Sequence, residues 1–172
     1  MCYDKEKASE VFYGKGNRKT NVMRILDQKK VPYNSYCYAD TDAISGAEVA
    51  AVLHQDPNRV FKTLVTVGHS KANYVFMIPV EKELDLKKAA KAVGEKSIVM
   101  IKSKELLPLT GYIHGGCSPI GMKKQFVTTV DASAEQYETI LFSAGKIGYQ
   151  VEVSLEELRK ALSYETADIV CE

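Results

Sequence analysis

The sequence has no tryptophan, and its 172 residues contain only four cysteines, at positions 2, 37, 117 and 171. The cysteines show neither CxxC spacing nor a Cys/His pattern of metal ligands, and a chain of this length can build a core without disulfides. Their scarcity argues against a secreted disulfide scaffold. We therefore expect reduced thiols and a cytoplasmic location.

Long apolar runs are also missing, and residues 1–10 are charged rather than apolar. A membrane-spanning helix needs about 20 predominantly apolar residues. We therefore expect neither a membrane span nor a signal peptide. A membrane is not among the expected partners.

An overall excess of one charge is absent, because 23 basic side chains face 22 acidic ones. Net charge alone would therefore not attract a nucleic acid. The charge is uneven along the chain, however. Residues 87–124 contain eight lysines against Glu95 and Glu105, whereas residues 131–172 contain nine acidic side chains against three basic ones. These segments are either binding surfaces or ordinary solvated helix faces.

The rest of the composition is that of a globular domain, with 45% hydrophobic and 26% charged residues. We expect residues 1–18, which lack periodicity, to form an N-terminal extension before a single domain over 19–172. Helical and strand periodicities alternate along this domain, which predicts an α/β fold. Predicted helices cover 20–30, 45–56, 86–93, 103–107 and 154–162, and predicted strands cover 33–38, 60–67, 74–80, 98–101, 126–130, 139–142 and 150–153.

Local signals predict several boundaries. Thr20 is a candidate N-cap, and Ser45 with Glu48 has the spacing of a capping box. The strands over 60–67 and 74–80 are close enough in sequence to form a hairpin. Pro108 is expected to end the short helix that begins at residue 103.

Familiar catalytic motifs are absent from the sequence, including HExxH, GxSxG, GxxxxGK[ST] and GxGxxG. His54, His69 and His114 have no recognisable spacing to carboxylates. Metalloprotease, esterase and nucleotide-hydrolase activities are therefore disfavoured. Neither a metal nor a cofactor is predicted.

Two features remain as candidate chemistry. Residues 111–121 contain four glycines and a proline and are followed by Lys123 and Lys124. Glycines let the backbone approach a ligand and turn several N–H groups toward one oxygen. Lys62 interrupts an apolar strand, where it is either an anion clamp in a cleft or a side chain that reaches solvent. A glycine-rich connection without function is the alternative for the loop.

Five segments occur in the order seen in the YbaK/EbsC family, and the sequence resembles its Cys-tRNA(Pro) deacylase branch over about residues 19–170. The segments are TNVM (20–23), VFKTL (60–64), LDLKKAAKAVG (84–94), TGYIHGGCSPIG (110–121) and FSAGK (142–146). The resemblance implies an α/β domain whose mixed, partly barrel-like sheet is packed with helices, as in the editing domain of bacterial prolyl-tRNA synthetases. It also implies hydrolysis of a wrong amino acid, above all cysteine, from the terminal adenosine of tRNA(Pro).

The resemblance assigns roles to individual positions. Lys62 falls on the family's essential lysine, which is expected to hold phosphate or ribose oxygens of the terminal adenosine. Gly115 and Gly116 fall in the loop whose backbone would act near the substrate carbonyl. Gln150 stands where other members carry an aspartate and is left out of the expected site. Further substrate contacts are expected from Tyr38, Cys117, Ser118, Pro119 and Ser143. The implied partners are the acceptor end of an aminoacyl-tRNA and prolyl-tRNA synthetase.

Several mechanisms remain open at this point. Cys117 could attack the ester if its pKa were lowered. The family suggests instead that the substrate cysteine's own thiol attacks its ester and forms a thiolactone. The alternatives are an alanine-specific deacylase that uses a positioned water, and a catalytically silent module that binds the tRNA end.

Overall fold

The computed structural model describes residues 19–172, so the predicted extension over 1–18 lies outside the described residues. The helices are α1 (Asn21–Gln28), α2 (Gly46–Val52), α3 (Leu86–Val93), α4 (Ser103–Thr110) and α5 (Leu155–Leu158). The strands are β1 (Asn34–Cys37), β2 (Phe61–Gly68), β3 (Asn73–Pro79), β4 (Ile98–Met100), β5 (Val127–Asp131), β6 (Thr139–Ser143), β7 (Tyr149–Ser154) and β8 (Glu165–Ala167). Within 19–172, no helix is long and apolar enough to span a bilayer.

The larger sheet has five strands in the order β4, β2, β3, β5, β8. β2 and β3 form the predicted antiparallel hairpin, with Phe61 opposite Pro79 and Val67 opposite Asn73. β5 runs parallel to β3 and to β8, which makes the sheet mixed. β4 covers only the far end of β2, opposite residues 66–68.

The smaller sheet is antiparallel, in the order β1, β7, β6. A single parallel bridge, between Val60 and Leu141, connects it to the larger sheet. The predicted α/β fold is confirmed, but the sheets do not close into a barrel. Because β6 leaves β2 after this bridge and β4 begins only at Thr66, the edge of β2 over 61–64 stays open.

Helices cover the sheets on different sides. α1 buries Val22, Met23 and Leu26 in the core formed with the smaller sheet. α3 packs Ala89 and Ala90 on one face of the larger sheet. α4 packs against the opposite face, where its partners in the core are Val65, Val75 and Phe126.

The predicted caps are present. The Thr20 hydroxyl accepts a hydrogen bond from the Met23 N–H at 3.2 Å and starts α1. Ser45 and Glu48 form the capping box of α2, with side-chain to backbone hydrogen bonds of 3.2 and 3.3 Å. These side chains satisfy N–H groups that the first turn of a helix leaves without partners.

Three predictions about helix length were wrong. α2 ends at Val52 and not near residue 56, and His54 just beyond it has a φ of 54°, which a right-handed helix does not contain. α4 continues past Pro108 to Thr110, because Pro108 lies on the exposed side, where water can bind the carbonyl that loses its N–H partner. α5 ends at Leu158, and the chain then turns so that Leu162 and Tyr164 enter the core. β8 was not predicted, because its three residues are too few to show a period of two.

Candidate active site

A cavity of about 530 Å³ lies beside the open edge of β2. Its walls come from residues 60–64 at the start of β2, residues 44–49 at the start of α2, the glycine-rich loop, and the facing ends of β6 and β7. Leu106 of α4 also lines it. Cavities of this size hold ligands of drug-like dimensions.

Lys62 lies on the open edge and lines the cavity. Its side chain is half-buried, and no carboxylate of residues 19–172 lies within 4.0 Å of its ammonium group. Glu48 lines the same cavity but accepts hydrogen bonds from the backbone N–H groups of Ile44 and Ser45, which lower the pKa of its carboxyl. Among the described residues, Lys62 therefore forms no ion pair, although Asp42 and Glu48 line the same cavity.

The glycine-rich loop closes one side of the cavity through Gly115 and Cys117. The Gly116 N–H donates to the Ile113 carbonyl at 3.0 Å, which makes a turn with Gly115 at a φ of 86°. Such a φ is strained for residues with a Cβ. A Cβ on Gly116 would lie 3.2 Å from the backbone nitrogen of Ile147, a tight contact, so a larger residue here would push the loop away from this segment by a few tenths of an ångström.

The remaining loop residues lie behind this surface. Ser118 and Pro119 are buried, and the Ser118 hydroxyl accepts a hydrogen bond of 3.4 Å from the Ile120 N–H. Neither residue lines the cavity, and neither does Gly116. Their contact with a substrate stays a prediction, whereas their contribution to the shape of the loop is visible.

Tyr38 and Ser143 also line the cavity. Burial raises the pKa of the Tyr38 hydroxyl, so this group is neutral at physiological pH. The Ser143 hydroxyl accepts a hydrogen bond of 3.1 Å from the Gly145 N–H. The structure thus brings Tyr38, Lys62, Gly115, Cys117 and Ser143 to one cavity.

The cavity contains no activated nucleophile among the described residues. Burial raises the pKa of the Cys117 thiol to about 12, so the thiol is protonated at pH 7. No histidine or carboxylate of residues 19–172 forms a hydrogen bond with Cys117 or Ser143. This geometry argues against the hypothesis that Cys117 attacks the ester. The same residues contain no group of three potential metal ligands.

Gln150 lines the cavity although the sequence reasoning left it out. It is 2% exposed and lies opposite Ser143 across β6 and β7. Its Oε1 accepts a hydrogen bond of 2.7 Å from Gln55 Nε2, while the buried Oε1 of Gln55 has no partner in the described residues. A polar residue at an inward position of an apolar strand was the signal that could have identified it.

A buried carboxylate holds the walls of the cavity together. Glu152 of β7 accepts hydrogen bonds from Asn34 at 3.1 Å, Tyr36 at 2.9 Å, Thr139 at 2.6 Å and Arg59 at 2.7 Å. Burial alone would raise the pKa of Glu152, but these four hydrogen bonds outweigh it and lower the pKa. Because Arg59 precedes β2, this network connects the smaller sheet to the strand that carries the cavity lysine.

Known proteins resemble this chain in sequence and in fold. A family model described as the aminoacyl-tRNA editing domain matches residues 40–161. An Enterococcus faecalis protein named "Putative Cys-tRNA(Pro)/Cys-tRNA(Cys) deacylase EbsC" is 48% identical over 156 residues, which cover 90% of this chain and 95% of that protein.

Two crystal structures share the fold. One, of a hypothetical protein, has a TM-score of 0.79 and 23% identity and covers 87% of this chain and 99% of its own. The other, described as a "putative trans-editing enzyme for prolyl tRNA synthetase", has a TM-score of 0.75 and 23% identity and covers 88% and 95%. The family match and the sequence identity together show that the chain belongs to the YbaK/EbsC family of aminoacyl-tRNA editing domains.

Proposed function

We propose that the protein is a trans-editing deacylase that removes cysteine from mischarged Cys-tRNA(Pro). The observation that carries the proposal is the unpaired ammonium of Lys62 in a cavity whose walls offer no activated nucleophile. The name of the 48% identical relative points to the same substrate. Prolyl-tRNA synthetase is the partner we propose, because it would release the mischarged tRNA.

In this proposal, Lys62 binds a phosphate or ribose oxygen of the terminal adenosine and places the ester beside the loop. The N–H groups of Gly115 and Cys117 have no acceptor among residues 19–172, so they are available to a substrate oxygen. Backbone N–H groups in such a position stabilise the negative charge that develops on a carbonyl oxygen under attack.

The substrate's own thiol supplies the nucleophile. Its sulfur forms a bond with the ester carbonyl carbon, the bond from that carbon to the ribose oxygen breaks, and the thiol proton ends on the released ribose hydroxyl. The product is a thiolactone, which water then opens to cysteine. An intramolecular nucleophile held in this way has an effective molarity of about 10⁵ M or more, so no side chain need attack.

This mechanism makes the chemistry itself selective. Alanine and proline esters have no thiol and cannot cyclise, whatever their fit. A serine ester is the sharper comparison, because it differs from the cysteine ester only in the attacking atom. We expect a clear preference for cysteine over serine even though both side chains fit a cavity of about 530 Å³.

The test is the release of amino acid from Cys-, Ser-, Ala- and Pro-tRNA(Pro), measured side by side at equal concentration. Rapid loss of cysteine alone is the expected result, and an S-methylcysteine ester should be stable because its sulfur is blocked. Hydrolysis of the alanine ester instead would indicate a positioned water. Binding of tRNA without hydrolysis of any ester would indicate a silent module.

A further inference from the structure

The lysine-rich segment over 87–124 does not form one surface in the folded protein. Val75 and Phe76 are neighbours on β3, so their side chains point to opposite faces of the larger sheet. Phe76 packs with α3, whereas Val75 packs in the core that includes Leu106 of α4. The larger sheet therefore separates the lysines of α3 from those around α4.

Four lysines lie at the two ends of α4, and we call them the rim lysines: Lys102, Lys104, Lys123 and Lys124. The first two lie at the start of the helix. The Lys123 N–H donates to the Thr110 carbonyl at 3.0 Å, which places the other two at its end. A helix of eight residues is about 12 Å long. Leu106, in the middle of α4, lines the cavity, so the rim lysines lie at the two ends of a helix that contributes to the cavity wall.

The charge of the rim lysines is not neutralised within the described chain. All four are exposed, and no carboxylate of residues 19–172 lies within 4.0 Å of their ammonium groups. Glu105, their neighbour in sequence, accepts a hydrogen bond from the backbone N–H of Lys102 at 2.9 Å. On the other face of the sheet, Lys88 is paired with Asp168 at 3.1 Å, but Lys87, Lys91 and Lys96 also have no carboxylate of residues 19–172 within 4.0 Å. The rim lysines are therefore distinguished by their place on α4 and not by their lack of partners.

We propose that the rim lysines bind phosphates of the tRNA acceptor end and that the lysines on the α3 side do not. This inference rests on the proposed function, which places the aminoacylated adenosine in the cavity. The nucleotides that precede the adenosine must leave the cavity, and a row of unpaired cations along one of its walls attracts their phosphates. Lysine recognises phosphate as a point charge, without reading the base.

The experiment compares two variants that lose the same charge. In the rim variant, Lys102, Lys104, Lys123 and Lys124 are all replaced by Gln. In the control variant, four exposed lysines away from α4 are replaced by Gln: Lys82, Lys87, Lys91 and Lys96. Binding of uncharged tRNA is measured for both variants and for the wild type between 50 and 200 mM salt, a range that reveals phosphate contacts.

The rim variant should bind tRNA at least about tenfold more weakly, and the plot of log K against log salt should lose about 3 from its slope, as expected for four lost phosphate contacts. The control variant should keep both values near the wild type. Equal losses in the two variants, or wild-type binding by the rim variant, would overturn the inference.

A second measurement uses cysteinyl adenosine, which has the ester but no preceding phosphates. The rim variant should hydrolyse it at the wild-type rate while its kcat/KM on Cys-tRNA(Pro) falls. Equal falls on both substrates would mean that the lysines act inside the cavity and would contradict the inference. If the wild type hydrolyses neither ester, the proposed function fails, but tRNA binding by the two variants still decides the role of the rim lysines.

Discussion

Replacing Lys62 with alanine should strongly lower the deacylase activity and leave the stability of the fold almost unchanged. The lysine lines the cavity and has no carboxylate partner within residues 19–172, so its loss leaves no buried group without a hydrogen bond. Its side chain is only half-buried, so little packing is lost. If Lys62 contributes to substrate binding and not to folding, its replacement should change the rate of deacylation but not the free energy of unfolding.

The size of both effects follows from the geometry. A hydrogen bond to a charged group contributes about 1.5 to 3 kcal/mol. Because about 1.4 kcal/mol corresponds to a tenfold change in rate, kcat/KM for Cys-tRNA(Pro) should fall by about 10- to 150-fold. The free energy of unfolding should change by no more than about 0.5 kcal/mol, as for other substitutions without buried partners. In a chain of this length that shifts Tm by about 2 °C or less.

The assay pairs single-turnover deacylation with thermal unfolding of the same preparations. Lys82→Ala serves as the matched control, because Lys82 is an exposed lysine that does not line the cavity. Wild-type rates in the Lys62→Ala variant would refute the proposed role of the lysine. A fall in Tm of more than about 8 °C would contradict the claim that Lys62 contributes little to folding, because it would correspond to several kcal/mol of lost stability.

Three further predictions concern residues around the lysine. Cys117→Ser should keep kcat/KM within about threefold of the wild type, because burial raises the pKa of the thiol to about 12; a loss above about 100-fold would restore Cys117 as the nucleophile. Gln150→Leu should cost about 1 kcal/mol in urea unfolding, because it leaves the Nε2 of the half-buried Gln55 without its acceptor, and adding Gln55→Leu should recover most of this loss. Arg59→Met should cost about 3 kcal/mol, or about 6 to 12 °C in Tm, because it leaves the buried Glu152 charge without its cation. Folding lowers the pKa of Glu152, so its contribution to the free energy of unfolding is complete above the ordinary glutamate pKa of about 4.3. This contribution is lost as the pH falls through the lower pKa of the folded state. Unfolding curves of the wild type between pH 7 and 3 should show this loss of stability, and those of Arg59→Met should show less of it.

Much of the fold could be predicted from short-range signals. The capping box at Ser45 and Glu48 fixes where α2 begins, because two side chains satisfy backbone groups that no other part of the helix can reach. Gly94 ends α3 with a φ of 73°, a conformation that glycine adopts without strain. The hairpin of β2 and β3 follows from two β-branched runs separated by a polar turn.

The parts that could not be predicted depend on contacts between distant segments. β8 pairs in parallel with β5, and its short sequence, Glu165 to Ala167, has no strand pattern of its own. The extension of α4 past Pro108 depends on solvent around one carbonyl, which a local rule does not contain. Periodicity can identify a strand, but it does not show which distant strand will pair with it.

The candidate site also contains some residues that the sequence could identify and others that it could not. Lys62 and the loop around Gly115 are visible in sequence, because a charge in an apolar strand and a cluster of glycines both depart from packing rules. Gln150 has a weaker signal, a polar side chain in an apolar strand, because its place in the cavity also depends on the pairing of β6 with β7 and on a hydrogen bond from Gln55. A departure from the residue that is common in a family does not exclude a position from the site, because glutamine still offers polar atoms to the cavity.

The site exists because the two sheets fail to close. Had β6 continued along β2 beyond the bridge of Val60 with Leu141, its backbone would have occupied the edge that now faces the cavity. Arg59 instead donates to the Thr139 carbonyl at 3.3 Å and to Glu152 at 2.7 Å, and so connects β6 and β7 of the smaller sheet to the residues just before β2. The smaller sheet is thereby attached to the larger sheet at the bridge of Val60 with Leu141, and β6 diverges from β2 beyond this bridge. Lys62 is the first charged residue of β2 after it.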